Sequence, residues 1–327
     1  MVSKTKFFLE DETIKKLFLK AGIGPVKSIA PLGAGEYNAV YEVMADKAYV
    51  LKVAPADTTP VLTYENNMIE SEVYWYSVLR DKTDILVPEV FYSDFSRQLI
   101  PAGWFIMEKM PGLQRDKIPM SPEEKENKEY EKAKMVAQIH KIHNDKFGYI
   151  QNELHDNWYL ALRSMVENLV ADCAAKGKKT KRGEKLLGYI DSYKEIFQKA
   201  ECCMVNFDIW DKNMICEREK GQIKCAWIDP ERGFWGDRIL DFICLDIFAQ
   251  LEDKKRALEG YNALAELPIE PGKEERIRYA VAQALMALLM ETEKYYRYSP
   301  FYVGWWRNIL VSSVLFRRAF KVFKNGG

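Results

Sequence analysis

Alternation of the β type is confined to one stretch of this chain, residues 26–108, and nearly everything beyond Pro111 and Gly112 repeats at helical spacing. That segregation points to an α+β architecture with an antiparallel sheet in the first third. Residues 28–32, 39–43 and 48–53 read as three strands joined by short turns, so they form a meander. A helix over 64–80 follows, then strands over 88–93 and 103–108, which makes five strands. A helix over 11–21, ended by Gly22 and Gly24, precedes the sheet. The later helices are expected over 123–143, 158–175, 186–200, 239–251, 254–264, 274–298 and 305–323, with β-like pieces over 213–217 and 223–228.

Composition removes several classes. The 327 residues carry 48 Lys plus Arg against 48 Asp plus Glu, a neutral balance that argues against a nucleic-acid partner. Hydrophobic residues make up 48% and charged residues 29%, the texture of a chain that buries a core. The longest apolar run, residues 280–290, falls short of the roughly 20 residues a bilayer span needs, so no membrane span is expected. Glu10, Asp11 and Glu12 stand where a signal peptide would be apolar, and the six cysteines form no CxxC pair. The expectation is a cytoplasmic protein with reduced, mostly buried thiols.

Three features carry chemistry. Gly33 and Gly35 lie in a strand-to-strand turn, where missing side chains let backbone N–H groups approach a phosphate. The turn leads into a strand and lacks G-x-x-x-x-G-K-[ST], which excludes Walker and Rossmann loops. Lys52 sits inside an apolar strand, and the next helix offers Glu72, or less favourably Glu70, to orient it over an anion. Asp208 and Asn213 then form a D-x-x-x-x-N loop, followed by Asp229 at the end of a short strand. Asp208 can accept a proton from an attacking hydroxyl, and Asn213 and Asp229 are hard oxygen donors suited to Mg²⁺.

The order of glycine turn, strand lysine, helix glutamate, D-x-x-x-x-N and strand-end Asp resembles the protein-kinase-like fold. In particular it resembles the aminoglycoside phosphotransferase/choline kinase group, with fructosamine-kinase features in Asp208-Ile-Trp-Asp-Lys-Asn213. The resemblance implies two lobes: residues 1–107 for nucleotide, a hinge over 108–112, and residues 113–327 with the catalytic loop, metal site and acceptor pocket. It also implies that Lys52 contacts the α- and β-phosphates of ATP (or GTP) with Glu72 holding it. Asp208 is then the base, Asn213 and Asp229 hold Mg²⁺, and adenine bonds the Glu108 carbonyl and the Met110 N–H. The acceptor would be a small-molecule hydroxyl on an aminoglycoside, a choline-like amino alcohol or an aminosugar.

One departure stands out. Asn206 and Phe207 occupy the places where the family reads His-Gly, which opens the alternative of a degenerate nucleotide-binding regulatory module. The chain lacks Asp-Phe-Gly and Ala-Pro-Glu after Asp229, so a small diffusible acceptor is expected rather than a protein. Trp210, Glu231, Trp235, Tyr295 and Trp305 are candidate acceptor contacts, the last two as an aromatic cage for a cation. Asp237 is expected to cap the helix at Ile239 and to bond the catalytic loop. His140 and His143 read as structural. The basic cluster over 176–182 reads as a solvated connector, and Arg317, Arg318, Lys321 and Lys324 in the final helix as complements to its dipole rather than a membrane contact.

Overall fold

The computed structural model describes residues 4–326 apart from 34 and 36. Its helices are α1 (Asp11–Lys20), α2 (Met68–Lys82), α3 (Pro122–Ile139), α4 (Trp158–Ala175), α5 (Lys181–Ser192), α6 (Lys194–Gln198), α7 (Lys255–Asn262), α8 (Lys273–Arg297) and α9 (Val303–Asn325). The strands are β1 (Ser28–Pro31), β2 (Ala39–Met44), β3 (Ala48–Val53), β4 (Val90–Asp94), β5 (Trp104–Glu108), β6 (Leu113–Gln114), β7 (Cys203–Val205), β8 (Met214–Glu219), β9 (Gln222–Trp227) and β10 (Phe234–Gly236).

The first five strands form one antiparallel sheet in the order β1-β2-β3-β5-β4, as the alternation predicts. One face of the sheet buries Ala39, Tyr41, Val43, Leu51 and Ile106 against Ile14, Leu17 and Phe18 of α1. The other joins a larger core that runs through α2 into the helices. β3 is central and is buried from Tyr49 to Val53, which places Lys52 inside the protein. α8 is buried along most of its length and packs on α9, so the apolar run over 280–290 is core. Among the described residues no helix is long and apolar enough to cross a membrane.

Four expectations are corrected. The helix expected over 64–80 is present as α2 from Met68 onward, but its first residues form a separate 3-10 turn, Thr63–Glu65, set off by Asn67 in the left-handed region (φ 55°). The helix expected over 239–251 is a 3-10 segment, Arg238–Cys244, followed by irregular chain and a 3-10 turn at Leu251–Asp253. α5 starts at Lys181, earlier than expected, because Thr180 caps it by accepting from the Gly183 N–H at 3.1 Å. Cys216 and Cys225 are joined in a disulfide rather than reduced. They are directly opposed in the β8–β9 register, with Cα atoms 4.0 Å apart. The other four cysteines are free and buried.

Candidate active site

Lys52, Glu72 and Asp229 meet where β3, α2 and the end of β9 converge. The Lys52 Nζ donates to Glu72 Oε1 at 2.6 Å and to Asp229 Oδ1 at 2.8 Å. Glu72 is fully buried and Lys52 nearly so, and Glu70 instead pairs with exposed Arg97, so Glu72 is the partner. Burial works against the Lys52 charge, but Asp229 and then Glu72 override it and raise its pKa well above the ordinary lysine value. Glu72 itself is pushed up to about 7, chiefly by burial, against the pull of Lys52. Tyr76, one turn after Glu72, accepts the Asp229 N–H at 2.9 Å and so ties α2 to the strand-end Asp.

Asp208 follows β7 in a tightly bonded loop. Its Oδ1 accepts the Trp210 indole N–H at 2.8 Å, and its Oδ2 accepts the Asn213 amide at 2.8 Å. The Asn213 side-chain nitrogen also donates to the Asp208 carbonyl at 2.9 Å, which leaves the amide oxygen of Asn213 for another partner. Burial raises the Asp208 pKa and Arg232 offsets that rise, while the charge of nearby Asp229 adds to it. Asn213 and Asp229 stand at the two ends of the β8–β9 hairpin, joined by the Ile228 N–H to Asn213 carbonyl bond at 2.9 Å. Asn213 and Asp229 offer an amide and a carboxylate, hard oxygen donors whose chemistry fits Mg²⁺.

The loop is held by residues that sequence reasoning missed or misassigned. Asp241, not Asp237, bonds it: Asp241 accepts the Asn206 N–H at 3.1 Å and the Phe207 N–H at 2.6 Å. His140 bonds the same carboxylate at 2.9 Å and Tyr261 at 3.0 Å, which is a structural role. Asp237 does cap Ile239, at 3.1 Å, and its other partner is Arg278. Asp211 accepts from Lys128 at 2.6 Å and Lys132 at 3.0 Å, pinning the loop to α3. Despite the opposing effect of burial, these cations hold its pKa down at about 2. Phe207 has φ 58°, the left-handed conformation for which the family's glycine is suited, and its ring packs edge-on to Phe234.

Gly33 has φ 70°, a conformation that favours glycine, and Gly35 has open space around it. Ala34 between them lies outside the described residues. Just beyond the turn, Asn38 donates to Glu231 at 2.9 Å, so the turn is drawn toward the Asp229 loop. Burial pushes Glu231 up to about 8 although Lys52 opposes it. Glu108 ends β5, and the Met110 N–H has no protein acceptor among the described residues.

The remaining acceptor candidates do not gather in one place. Trp210 lies on Asp208, but Trp235 is buried in β10 with its ring edge-on to Trp75, 5.0 Å between centroids. Tyr295 and Trp305 do pair, at 5.4 Å, but the ammonium of Lys294 stands 4.7 Å from the Tyr295 ring and 5.7 Å from the Trp305 ring. That aromatic corner already holds a cation of its own chain. Beside Asp208 stands instead a buried charge ladder that the sequence reading missed. Arg232 Nε lies 3.8 Å from Asp208 Oδ1, and its Nη2 bonds Glu293 at 2.7 Å. Glu293 lies 3.4 Å from Arg297, which also pairs with Glu65, and Tyr64 donates to Glu293 at 3.0 Å. Glu293 and Arg297 are one turn apart in a helix whose buried residues are mostly apolar, and that spacing was the available signal.

The model of the APH phosphotransferase enzyme family matches residues 28–277. The chain belongs to that family. Among solved structures, a fructosamine-3-kinase candidate from Thermobifida fusca superposes with a TM-score of 0.66 at 18% identity, covering 95% of this chain and 100% of the other. The aminoglycoside phosphotransferase APH(2″)-IIa, solved with streptomycin and ATP, gives 0.58 at 17% identity, covering 94% and 97%. APH(2″)-Ib with ADP gives 0.58 at 19%, covering 96% and 99%. These likenesses show the protein-kinase-like fold. No curated relative matches the sequence.

Proposed function

We propose that this phosphotransferase is a small-molecule kinase that moves the γ-phosphoryl group of ATP to a hydroxyl. The observation that carries the reading is the contact of Lys52, from the front of the chain, with Asp229, from the back, beside Asp208 and Asn213. In this reading residues 1–107 and 113–327 are the two lobes, and the strip over 108–112 binds the nucleobase through the Glu108 carbonyl and the Met110 N–H. Lys52, oriented by Glu72, exchanges its bond to Asp229 for the α- and β-phosphates. Asn213 and Asp229 would hold Mg²⁺, which when bound supplies neutralisation of phosphate charge. The acceptor oxygen gives its proton to Asp208 as it bonds the γ-phosphorus, and the bond to the β-phosphate oxygen breaks to release ADP. The protein contributes position and charge, held in place by Trp210, Asn213 and Asp241.

Similar folds solved with ATP, ADP or GDP support a nucleotide donor, with GTP as an alternative to ATP. Complexes of similar proteins with streptomycin, gentamicin or kanamycin support an acceptor in the range of aminoglycosides, aminosugars and amino alcohols. The Lys294 ammonium at Tyr295 and Trp305 favours an acceptor site near Asp208, Trp210 and Arg232 instead. Single-turnover transfer of labelled γ-phosphate across such an acceptor panel tests the reading. Transfer that disappears in Asp208→Asn supports it. A protein that binds Mg-ATP and transfers to no acceptor is instead the regulatory module, the reading favoured by Asn206 and Phe207 in place of His-Gly.

A further inference from the structure

α9 packs on α8 along one side and leaves the other bare. Just before and within its first half, Phe301 is 97% exposed, Val303 74%, Trp306 57% and Leu310 67%, whereas the other exposed large apolar residues are scattered over the surface. Isolated exposed apolar residues are ordinary, but a contiguous group marks a contact surface. Val303, Trp306 and Leu310 share a face with Arg317, Lys321 and Lys324, all six exposed, within about a quarter of the helix circumference at 3.6 residues per turn. The helix has five basic residues, Arg307, Arg317, Arg318, Lys321 and Lys324, and no acid, in a chain whose charges balance overall. Complementing the helix dipole requires cations only in the last turn. It does not explain why they continue the line of an uncovered apolar stripe.

From this arrangement we infer that the bare face of α9 docks on an anionic lipid surface, lying in its plane. Phe301, Val303, Trp306 and Leu310 enter the boundary between headgroups and acyl chains, and Arg317, Lys321 and Lys324 rest on the lipid phosphates. Charge selects this occupant over a second copy of the chain. Two α9 faces packed in parallel would set cations against cations, and packed antiparallel they would set cations against Trp306 and Leu310, with no acid on either to pair them. The surface is separate from the proposed catalytic residues, so docking does not depend on the kinase reading.

Flotation of the full chain with phosphatidylcholine vesicles, with and without about 30% phosphatidylserine at low salt, tests the inference. The wild-type chain is expected to float at least tenfold better with the anionic vesicles. Trp306→Ser/Leu310→Ser should abolish flotation, and Arg317→Glu/Lys321→Glu should reduce it by more than tenfold, since each lost charge weakens binding about fivefold. Both pairs lie on the surface and should keep the wild-type melting temperature. Wild-type protein that stays out of the anionic vesicles, or variants that float as it does, would overturn the proposal. So would light scattering that shows a dimer split by Trp306→Ser/Leu310→Ser, which would give the face to a second copy.

Discussion

The charged groups on the two sides of Asp208 are arranged differently. On the donor side Lys52, Glu72 and Asp229 leave one cation between two carboxylates, an arrangement that a nucleotide phosphate can enter by displacing Asp229 from Lys52. On the side proposed to face the acceptor, Arg232, Glu293, Arg297 and Glu65 alternate in sign and pair with one another. A wall with a surplus carboxylate is poised to exchange partners, and a wall of closed pairs fixes shape.

Perturbing each wall separately sharpens the contrast. The largest expected effect is at the junction: Asp208→Ala should lower transfer by at least about a thousandfold while ATP affinity stays within a few fold, read by single-turnover kinetics and calorimetry. On the donor side Lys52→Met leaves Glu72 as a buried carboxylate without its cation. Unfolding free energy should fall by about 3–5 kcal/mol, and nucleotide affinity should fall with it. On the acceptor side Glu293→Gln strips Arg232 and Arg297 of their shared carboxylate. It should raise the KM for the acceptor and lower the melting temperature, and leave the KM for ATP close to wild type. An ATP KM that rises as much as the acceptor KM would erase the distinction between the walls.

A smaller effect concerns the loop between them. Phe207→Gly relieves a left-handed residue, a gain of about 1–2 kcal/mol, but empties a packed aromatic site at a cost of about 3–5 kcal/mol. Packing wins, so denaturant unfolding should show a net loss of roughly 2 kcal/mol. The smallest effect is in acid. Asp211 has a pKa of about 2 in the folded protein, below the ordinary carboxylate value. Its contribution is therefore complete above the unfolded value and is lost as pH falls toward 2. Asp211→Asn should flatten the stability profile between about pH 4 and 2 relative to wild type.

The donor wall was legible because its residues announce themselves locally: a lysine inside an apolar strand, an amide five residues after an aspartate, an aspartate at a strand end. The acceptor ladder joins Glu65 to Arg297, 232 residues apart, so no local pattern reports it. Asp237 drew the role of Asp241 because it caps the segment that holds Asp241, and only the fold shows which carboxylate faces the loop. The Cys216–Cys225 bond depended on strand register, which spacing alone does not give. The helix breaks at Asn67 and after Cys244 were hidden by continuing apolar periodicity. Tertiary packing chose a left-handed residue in one case and 3-10 turns in the other.

In the proposed function Lys52, Asp208, Asn213 and Asp229 serve one magnesium-bound triphosphate. Calorimetric titration of ATP with and without Mg²⁺, on the wild type, Asp229→Asn and Asp208→Asn, tests it most directly. Mg²⁺-enhanced binding is expected in the wild type and Asp208→Asn, and loss of that enhancement in Asp229→Asn. Enhancement of the same size in all three proteins would contradict it.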